Sequence, residues 1–508
     1  MKKETKIKPI RVRIAPSPTG ALHIGTARSA LFNYLFAKKN KGKFILRIED
    51  TDLERSDLRW TEDIIQGLKW LGIEWDEGPD IGGKFGPYKQ TQRINNYKKY
   101  LEKLLFEKKA YYCFCSAEEL EVKRQEQMSR GVAPKYDGTC AHLSEDFLAE
   151  NIKNKKPSVI RFRTPIKKIK FKDLIRGDVE FDSRFIGDTV IAKNLNTPLY
   201  NFAVVVDDYE MQISHVIRGE DHIANTPKQI LMQEALGFST PDYAHLPLIL
   251  APDRSKMSKR YGSVAVNDYN NQGYLPEAIV NFMALLGWNP GTEKEIFSLA
   301  QLSKEFSIEK VQKSGAIFNI QRLDFINGYY IKEKPIEKLT ELCEPYLKKA
   351  GLLVAGQVSK SMLEKIVKVS RSRMKKLSDI VELSDFFFAD KLSYDKDLLK
   401  WDNMSDEDIK ECLLLCLPAG RQATNKKALG DLGKGEWNIK NIEKVLFDTA
   451  GDFNKQKGYP EKNRGFLLWP LRVALSGKKA SPSPFEIADI LGKEKTLKHI
   501  AEAIAKLP

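Results

Sequence analysis

Two separated stretches of this 508-residue chain carry side chains suited to handling phosphate, and a third carries soft metal ligands. His23-Ile24-Gly25-Thr26 follows the rigid run Pro16-Ser17-Pro18-Thr19-Gly20. At the start of a helix, its imidazole and open backbone amides would face an anion at the positive end of the helix dipole, and the glycine would permit close approach. Taken alone, the four residues are equally a capping turn with a surface histidine. About 230 residues later, Lys256-Met257-Ser258-Lys259-Arg260 precedes Tyr261-Gly262. Such a doubly cationic loop could close over a triphosphate; in isolation it is an ordinary solvated basic turn. Cys113-Phe114-Cys115 and Cys140-Ala141-His142 form C-x-C-x24-C-x-H. Four such ligands close a tetrahedral zinc site with no vacancy for water, which makes the metal structural; the competing reading is buried cysteines beside a surface histidine. Cys343 is isolated, and Cys412 and Cys416 share a helical face, so all three are assigned to packing.

These residues need elements to hold them. Arg11-Val12-Arg13-Ile14-Ala15 reads as a strand ended by the prolines. Ala27, Ala30, Leu31, Tyr34 and Leu35 recur at helical spacing, and Lys38-Lys39-Asn40-Lys41-Gly42 supplies a cationic last turn and a glycine stop. Phe44 to Glu49 reads as a second strand. Together they make the βαβ unit of a parallel, doubly wound sheet, whose ligands gather at the carboxyl ends of strands. Residues 110–200 are less regular, with the cysteines and the basic run Lys167 to Lys172, and look like an insertion between two halves of a sheet. Phe202-Ala203-Val204-Val205-Val206, Ile213 to Ile217 and Leu246 to Leu250 read as strands returning to that sheet. Beyond Pro335, amphipathic segments rich in Leu, Lys and Glu predict an all-helical last third, with a loop at Leu417 to Ala423.

Length predicts roughly three to five structural units rather than one core. Hydrophobic residues at 42% and charged residues at 30% fit a globular chain, and no apolar run approaches the ~18 residues of a membrane span, so no membrane partner is expected. The first six residues are basic without a secretory apolar stretch, which predicts cytoplasmic residence. Six cysteines exclude a disulfide scaffold in so long a chain. Lys and Arg outnumber Asp and Glu by 83 to 68; the net +15 suits a polyanion such as RNA, although many basic proteins bind none.

In order and separation, residues 16–26 and 256–260 resemble the two signatures of class I aminoacyl-tRNA synthetases. Arg13 to Gly20, Arg47-Ile48-Glu49-Asp50-Thr51-Asp52 and Val205-Val206-Asp207-Asp208 narrow the resemblance to glutamyl-tRNA synthetases of bacterial type, over essentially the whole chain. Thr26 replaces the histidine of the class-wide pattern, which the glutamyl branch tolerates. The resemblance implies an α/β fold with a doubly wound, Rossmann-like catalytic domain in two halves (residues 1–110 and 200–255). It also implies an inserted acceptor-end-binding domain (111–199), a stem-contact domain with the basic loop (256–335), and two helical anticodon-binding subdomains (336–400 and 401–508).

The implied reaction is ATP-dependent activation of L-glutamate, with Mg²⁺, and transfer to the terminal adenosine of tRNA(Glu); charging of tRNA(Gln) as well is left open, and a monomer is expected. By the same resemblance His23, Lys256 and Lys259 are catalytic. Pro16, Thr19, Gly20, His23, Gly25, Thr26 and Lys256-Met257-Ser258-Lys259-Arg260 hold ATP. Arg13, Ala15, Ser17, Glu49, Tyr200 and Arg218 hold glutamate, with Arg13 on the side-chain carboxylate, Arg218 on the α-carboxylate and Glu49 near the ammonium; residue types alone do not settle which arginine takes which group. Val204 stands where some relatives have asparagine. Arg373 falls where relatives contact an anticodon base, although a solvated helix face explains it too. Some relatives share the C-x-C, Tyr136-Asp137-Gly138, C-x-H arrangement, which implies zinc on Cys113, Cys115, Cys140 and His142. The rivals are a glutaminyl-tRNA synthetase, which would end in β-barrels, and a non-catalytic tRNA-binding paralogue, which would have damaged signatures.

Overall fold

The computed structural model describes residues 9–257, 264–353, 358–418 and 428–508. Ser258, Lys259 and Arg260 therefore lie outside the described residues, as do the first eight residues and most of the loop expected at 417–423. The chain divides into two compact units, Met1–Ile326 and Asn327–Pro508.

The first unit opens with β1 (Arg11–Ile14), α1 (Ile24–Lys39) and β2 (Lys43–Leu46), and the two strands pair in parallel. This is the expected βαβ unit. Every residue of β1 is buried, as a strand covered on both faces requires. Helix α1 stops at Asn40, yet the left-handed residue is Lys41 (φ 52°), not Gly42. Gly42 is needed for a different reason: a Cβ there would lie 2.6 Å from the Ile10 carbonyl oxygen.

Then come α2 (Leu58–Trp70), α3 (Ile94–Phe106), β3 (Ala110–Cys113), α4 (Ala117–Ser129), α5 (Glu145–Lys153), β4 (Val159–Phe162), β5 (Lys168–Asp173), β6 (Gly177–Asp182), β7 (Val190–Asn194) and β8 (Thr197–Pro198). β3, β4, β7 and β8 form an antiparallel sheet in that order. The β5–β6 hairpin joins a different sheet, ordered β6-β5-β10-β9, with β9 (His215–Gly219) and β10 (Asp242–Leu246) parallel. Residues 168–182, read as part of the insertion, thus hydrogen-bond to the nucleotide-fold strands through Leu174 N–H and the Tyr243 carbonyl at 2.8 Å. β9 lies along β1, tied by Ser214 N–H to Arg11 O at 2.9 Å.

One expected strand is a helix. Phe202 to Val206 lie within α6 (Tyr200–Glu210), buried from Phe202 to Asp208. A short, uniformly apolar run carries no periodicity to separate a buried strand from a buried helix. The other two shift: the strand at 213–217 begins at His215, and 246–250 splits at Pro247 into the end of β10 and β11 (Ile249–Leu250), because proline cannot donate to a ladder. β11 pairs in parallel with β12 (Ala316–Ile317).

The second unit is helical, with no strand among its described residues: α-helices span Ile336–Lys349, Lys360–Ser370, Asp379–Phe388, Asp406–Leu414, Ile439–Lys457, Gly465–Ser476 and Pro484–Ile504. Cys343, Cys412 and Cys416 are fully buried packing residues, as expected. Among the described residues no helix is long and apolar enough to cross a membrane.

Candidate active site

A cavity of about 430 Å³ opens where the ends of β1 and β9 meet the start of α1. Twelve expected residues line it: Arg13, Ala15, Pro16, Ser17, His23, Gly25, Thr26, Glu49, Tyr200, Arg218, Lys256 and Met257. Thr19 and Gly20 do not; they sit on the loop just outside, where Asp57 N–H meets the Pro18 carbonyl at 3.0 Å. The cavity volume suits a small polar metabolite with a nucleotide partly enclosed.

His23 caps α1 with its own ring, Nδ1 accepting from Gly25 N–H at 3.0 Å. Burial, with Lys256 nearby, holds its pKa below the ordinary histidine value. The neutral ring therefore carries its proton on Nε2 and offers a donor. The expectation of open amides here needs correction. Ile24 N–H is bonded to the Val264 carbonyl of the crossing chain at 2.8 Å, and Gly25 N–H is taken by the His23 ring. Lys256 is well exposed, 3.9 Å from Asp221.

Arg11 and Arg13, two apart on a strand, share one face and are both buried. Arg13 donates from Nε and Nη2 to the two oxygens of Asp208, at 3.1 Å each. Arg47, wholly buried, donates to Asp208 at 2.8 Å and Glu49 at 3.0 Å. Burial pushes Glu49 up, only partly offset by Arg47 and Arg13. Burial acts on Asp208 the same way, but Arg13 and Arg47 outweigh it and hold that carboxyl below the usual range. Burial and Glu49 push Tyr200 up to about 12, and its hydroxyl lies 3.1 Å from His222 Nδ1.

Arg218 differs in kind. Its neighbours are neutral: His245 Nε2 at 3.3 Å, Thr226 Oγ1 at 2.8 Å and the His222 carbonyl at 3.5 Å. Among the described residues no acceptor meets Nη1. A buried guanidinium beside a cavity, without a carboxylate, is a ready partner for an anionic ligand. Residue patterns missed Arg28 and His222. Arg28 interrupts the apolar face of α1, which is a signal, but its partners, the Leu286 carbonyl at 3.1 Å and the Pro247 carbonyl, are remote. Burial and Arg218 lower His222 to about 4, against the opposing Asp221.

The metal ligands come together only in part. Cys113, Cys115 and Cys140 bring their sulfurs within 4.8 Å of one another. His142 is exposed and outside the cluster. In its place the Tyr136 hydroxyl lies 3.3 Å from Cys113 Sγ and 3.5 Å from Cys115 Sγ, accepting from Cys140 N–H at 2.9 Å. The turn Tyr136-Asp137-Gly138, with Gly138 at φ 82°, brings the phenol against the sulfurs. Burial raises the Cys113 thiol, but Tyr136 and Arg161 outweigh it and favour the thiolate. Three sulfurs and a phenol oxygen form a donor set that zinc accepts.

Arg373 is exposed and follows the helix Lys360–Ser370, one guanidinium nitrogen donating to the Ser481 carbonyl. Val204 is buried in α6.

Residues 9–325 match the family model for class I tRNA synthetases (E and Q), catalytic domain, and residues 338–504 that for an anticodon binding domain. Glutamate--tRNA ligase 1 of Caldicellulosiruptor saccharolyticus is 47% identical over 97% of this chain and 98% of its own. Glutamate--tRNA ligase of Desulforamulus reducens is 44% identical over 97% and 99%. A solved glutamate tRNA ligase from Elizabethkingia meningosepticum, in complex with its amino acid, is 33% identical with a TM-score of 0.85, covering 98% of this chain and all of that one.

Proposed function

Because this chain belongs to the bacterial-type glutamate–tRNA ligases of the class I synthetase family, we propose that the cavity between β1, α1 and β9 is where its ATP-dependent joining of glutamate to tRNA takes place. The reaction itself follows from the family. The α-carboxylate of glutamate attacks the α-phosphorus of ATP, pyrophosphate leaves, and a ribose hydroxyl of the terminal adenosine of tRNA(Glu) then displaces AMP from the adenylate. Negative charge grows on phosphoryl oxygens, so catalysis calls for fixed donors rather than a protein nucleophile.

The single observation that carries the site is Arg218, a buried guanidinium on the cavity wall held by neutral groups and, among the described residues, without a carboxylate partner. Arg218 takes the α-carboxylate and Arg13, through Nη1, the side-chain carboxylate. Glu49 faces the ammonium, while Ala15, Ser17 and Tyr200 complete the pocket. His23 donates Nε2–H to phosphate; Gly25 and Thr26 allow close approach. Lys256 and Lys259 would hold the departing pyrophosphate, and Mg²⁺ would supply further positive charge to the phosphates.

Cys113, Cys115 and Cys140, with the Tyr136 hydroxyl as fourth group rather than His142, would hold zinc, which would tie β3 to the segment after α4 in a structural role. On this reading residues 111–199 receive the acceptor end, residues 256–335 the stem and residues 336–508 the anticodon, with Arg373 against an anticodon base. A monomer working in the cytoplasm is the simplest setting. The alternative, a glutaminyl enzyme, loses support from the helical second unit, since β-barrels would be expected there.

Amino-acid-dependent exchange of pyrophosphate into ATP, with and without tRNA(Glu), tests the assignment. Exchange driven by glutamate and not glutamine is expected; the reverse would overturn it.

A further inference from the structure

Behind Arg218 stands a buried chain of groups that the reaction does not itself use. Asp173 and His245 are 1% and 0% exposed, and His245 Nδ1 meets Asp173 Oδ2 at 2.6 Å. Burial keeps the imidazole neutral despite the adjacent carboxylate. A neutral ring facing a carboxylate carries its proton on that side, so Nδ1–H donates to Asp173 and Nε2 is left as an acceptor. Nε2 then receives Arg218 Nε–H at 3.3 Å, while Thr226 Oγ1 accepts from Arg218 Nη2 at 2.8 Å.

We propose that Asp173 and His245 are positioning residues for the amino-acid substrate: they hold Arg218 on the cavity wall through a fixed imidazole tautomer, with its charge left to the substrate carboxylate. This rests on the reading of Arg218 as a glutamate ligand. The physical logic lies in what is interposed. A carboxylate placed directly on Arg218 would orient it but also neutralise it and compete with the substrate, as Asp208 does for two nitrogens of Arg13. A neutral imidazole between acid and guanidinium transmits orientation and leaves the cationic charge unpaired. Asp173 closes the strand β5, and its other oxygen is held by the backbone N–H groups of Ile175 and Arg176 at 2.9 and 2.8 Å. The hairpin of the inserted stretch is therefore linked, through His245, to an arginine on the cavity wall.

Asp173→Asn discriminates this role from a merely structural one. The amide oxygen can still accept from the backbone N–H groups of Ile175, Arg176 and His245, but its NH₂ faces His245 Nδ1 and reverses the tautomer, so that Nε2–H turns to Thr226 Oγ1, 3.1 Å away, and Arg218 Nε–H loses its acceptor. The KM for glutamate in tRNA-supported pyrophosphate exchange is expected to rise roughly ten-fold or more, with the KM for ATP and the thermal midpoint little changed. Selective ¹⁵N-histidine NMR should report the proton of His245 moving from Nδ1 to Nε2. His245→Gln, whose amide oxygen can replace Nε2 as acceptor, should stay near wild type, and His245→Leu should behave like Asp173→Asn. Arg218→Ala separates the two readings: an unchanged glutamate KM there removes the premise. A loss in Arg218→Ala combined with a normal glutamate KM in His245→Leu, or in a tautomer-switched Asp173→Asn, overturns the proposal itself.

Discussion

Arg13 on β1 and Asp208 on α6, 195 residues apart, form a two-point ion pair with both N–O distances at 3.1 Å. Arg47 meets the same carboxylate at 2.8 Å. Asp208 thus joins two buried guanidiniums while sitting in the last turn of a helix, where the dipole disfavours negative charge. Neighbouring Asp207 has the same problem and the same remedy, with Arg93 at 2.6 Å. The cationic wall of the pocket and the acidic end of α6 thus neutralise each other.

Asp208→Asn leaves Arg13 and Arg47 short of countercharge and should cost about 3–5 kcal/mol of the first unit's stability. Urea unfolding followed by tryptophan fluorescence measures it. An unchanged midpoint would show that the pair contributes nothing to the fold.

His222 gives the protein an acid sensitivity. Its folded-state pKa of about 4 lies below the unfolded value near 6.5. Between these values the unfolded chain binds a proton that the folded chain does not, so stability is lost as pH falls through that window, by at most about 3 kcal/mol. His222→Gln should flatten the pH dependence of the unfolding free energy between pH 6.5 and 4.5. Parallel curves for the two proteins would rule His222 out as the source.

Metal content separates the two ligand sets at the cysteine cluster. Cys115→Ser should strip most zinc from the purified chain and lower tRNA charging, whereas His142→Ala should keep about one zinc per chain, as a site closed by Tyr136 predicts. Tyr136→Phe should weaken retention against a chelator. Atomic-emission analysis reads all three, and loss of zinc in His142→Ala equal to that in Cys115→Ser would restore the histidine.

Much of the site was legible because its parts are local. Pro16 to Thr26 combines a strand end, a stiff loop and a helix start within a dozen residues, so periodicity and turn chemistry suffice to place His23 and Arg13. The helical second unit was equally legible, since amphipathic periodicity persists through each helix. Phe202 to Val206 was not, because an unbroken apolar run has no period; the helix shows only in tertiary context, where it is buried from Phe202 to Asp208 and sets Asp208 against Arg13 and Arg47.

Residue types and their spacing determined the parallel βαβ start, the helical end and the grouping of Cys113, Cys115 and Cys140, while the two separated signatures carried the resemblance that implied the reaction class. Tertiary structure decided which groups are free to act. Arg13 and Arg218 are both buried arginines in sequence terms, yet one is matched by Asp208 and the other is held by neutral His245 and Thr226. His142 satisfies the spacing, yet the fold sets the Tyr136 hydroxyl against the Cys113 and Cys115 sulfurs and leaves His142 outside the cluster. Such outcomes depend on contacts between segments far apart in the chain, and short-range patterns carry no information about which distant partner arrives.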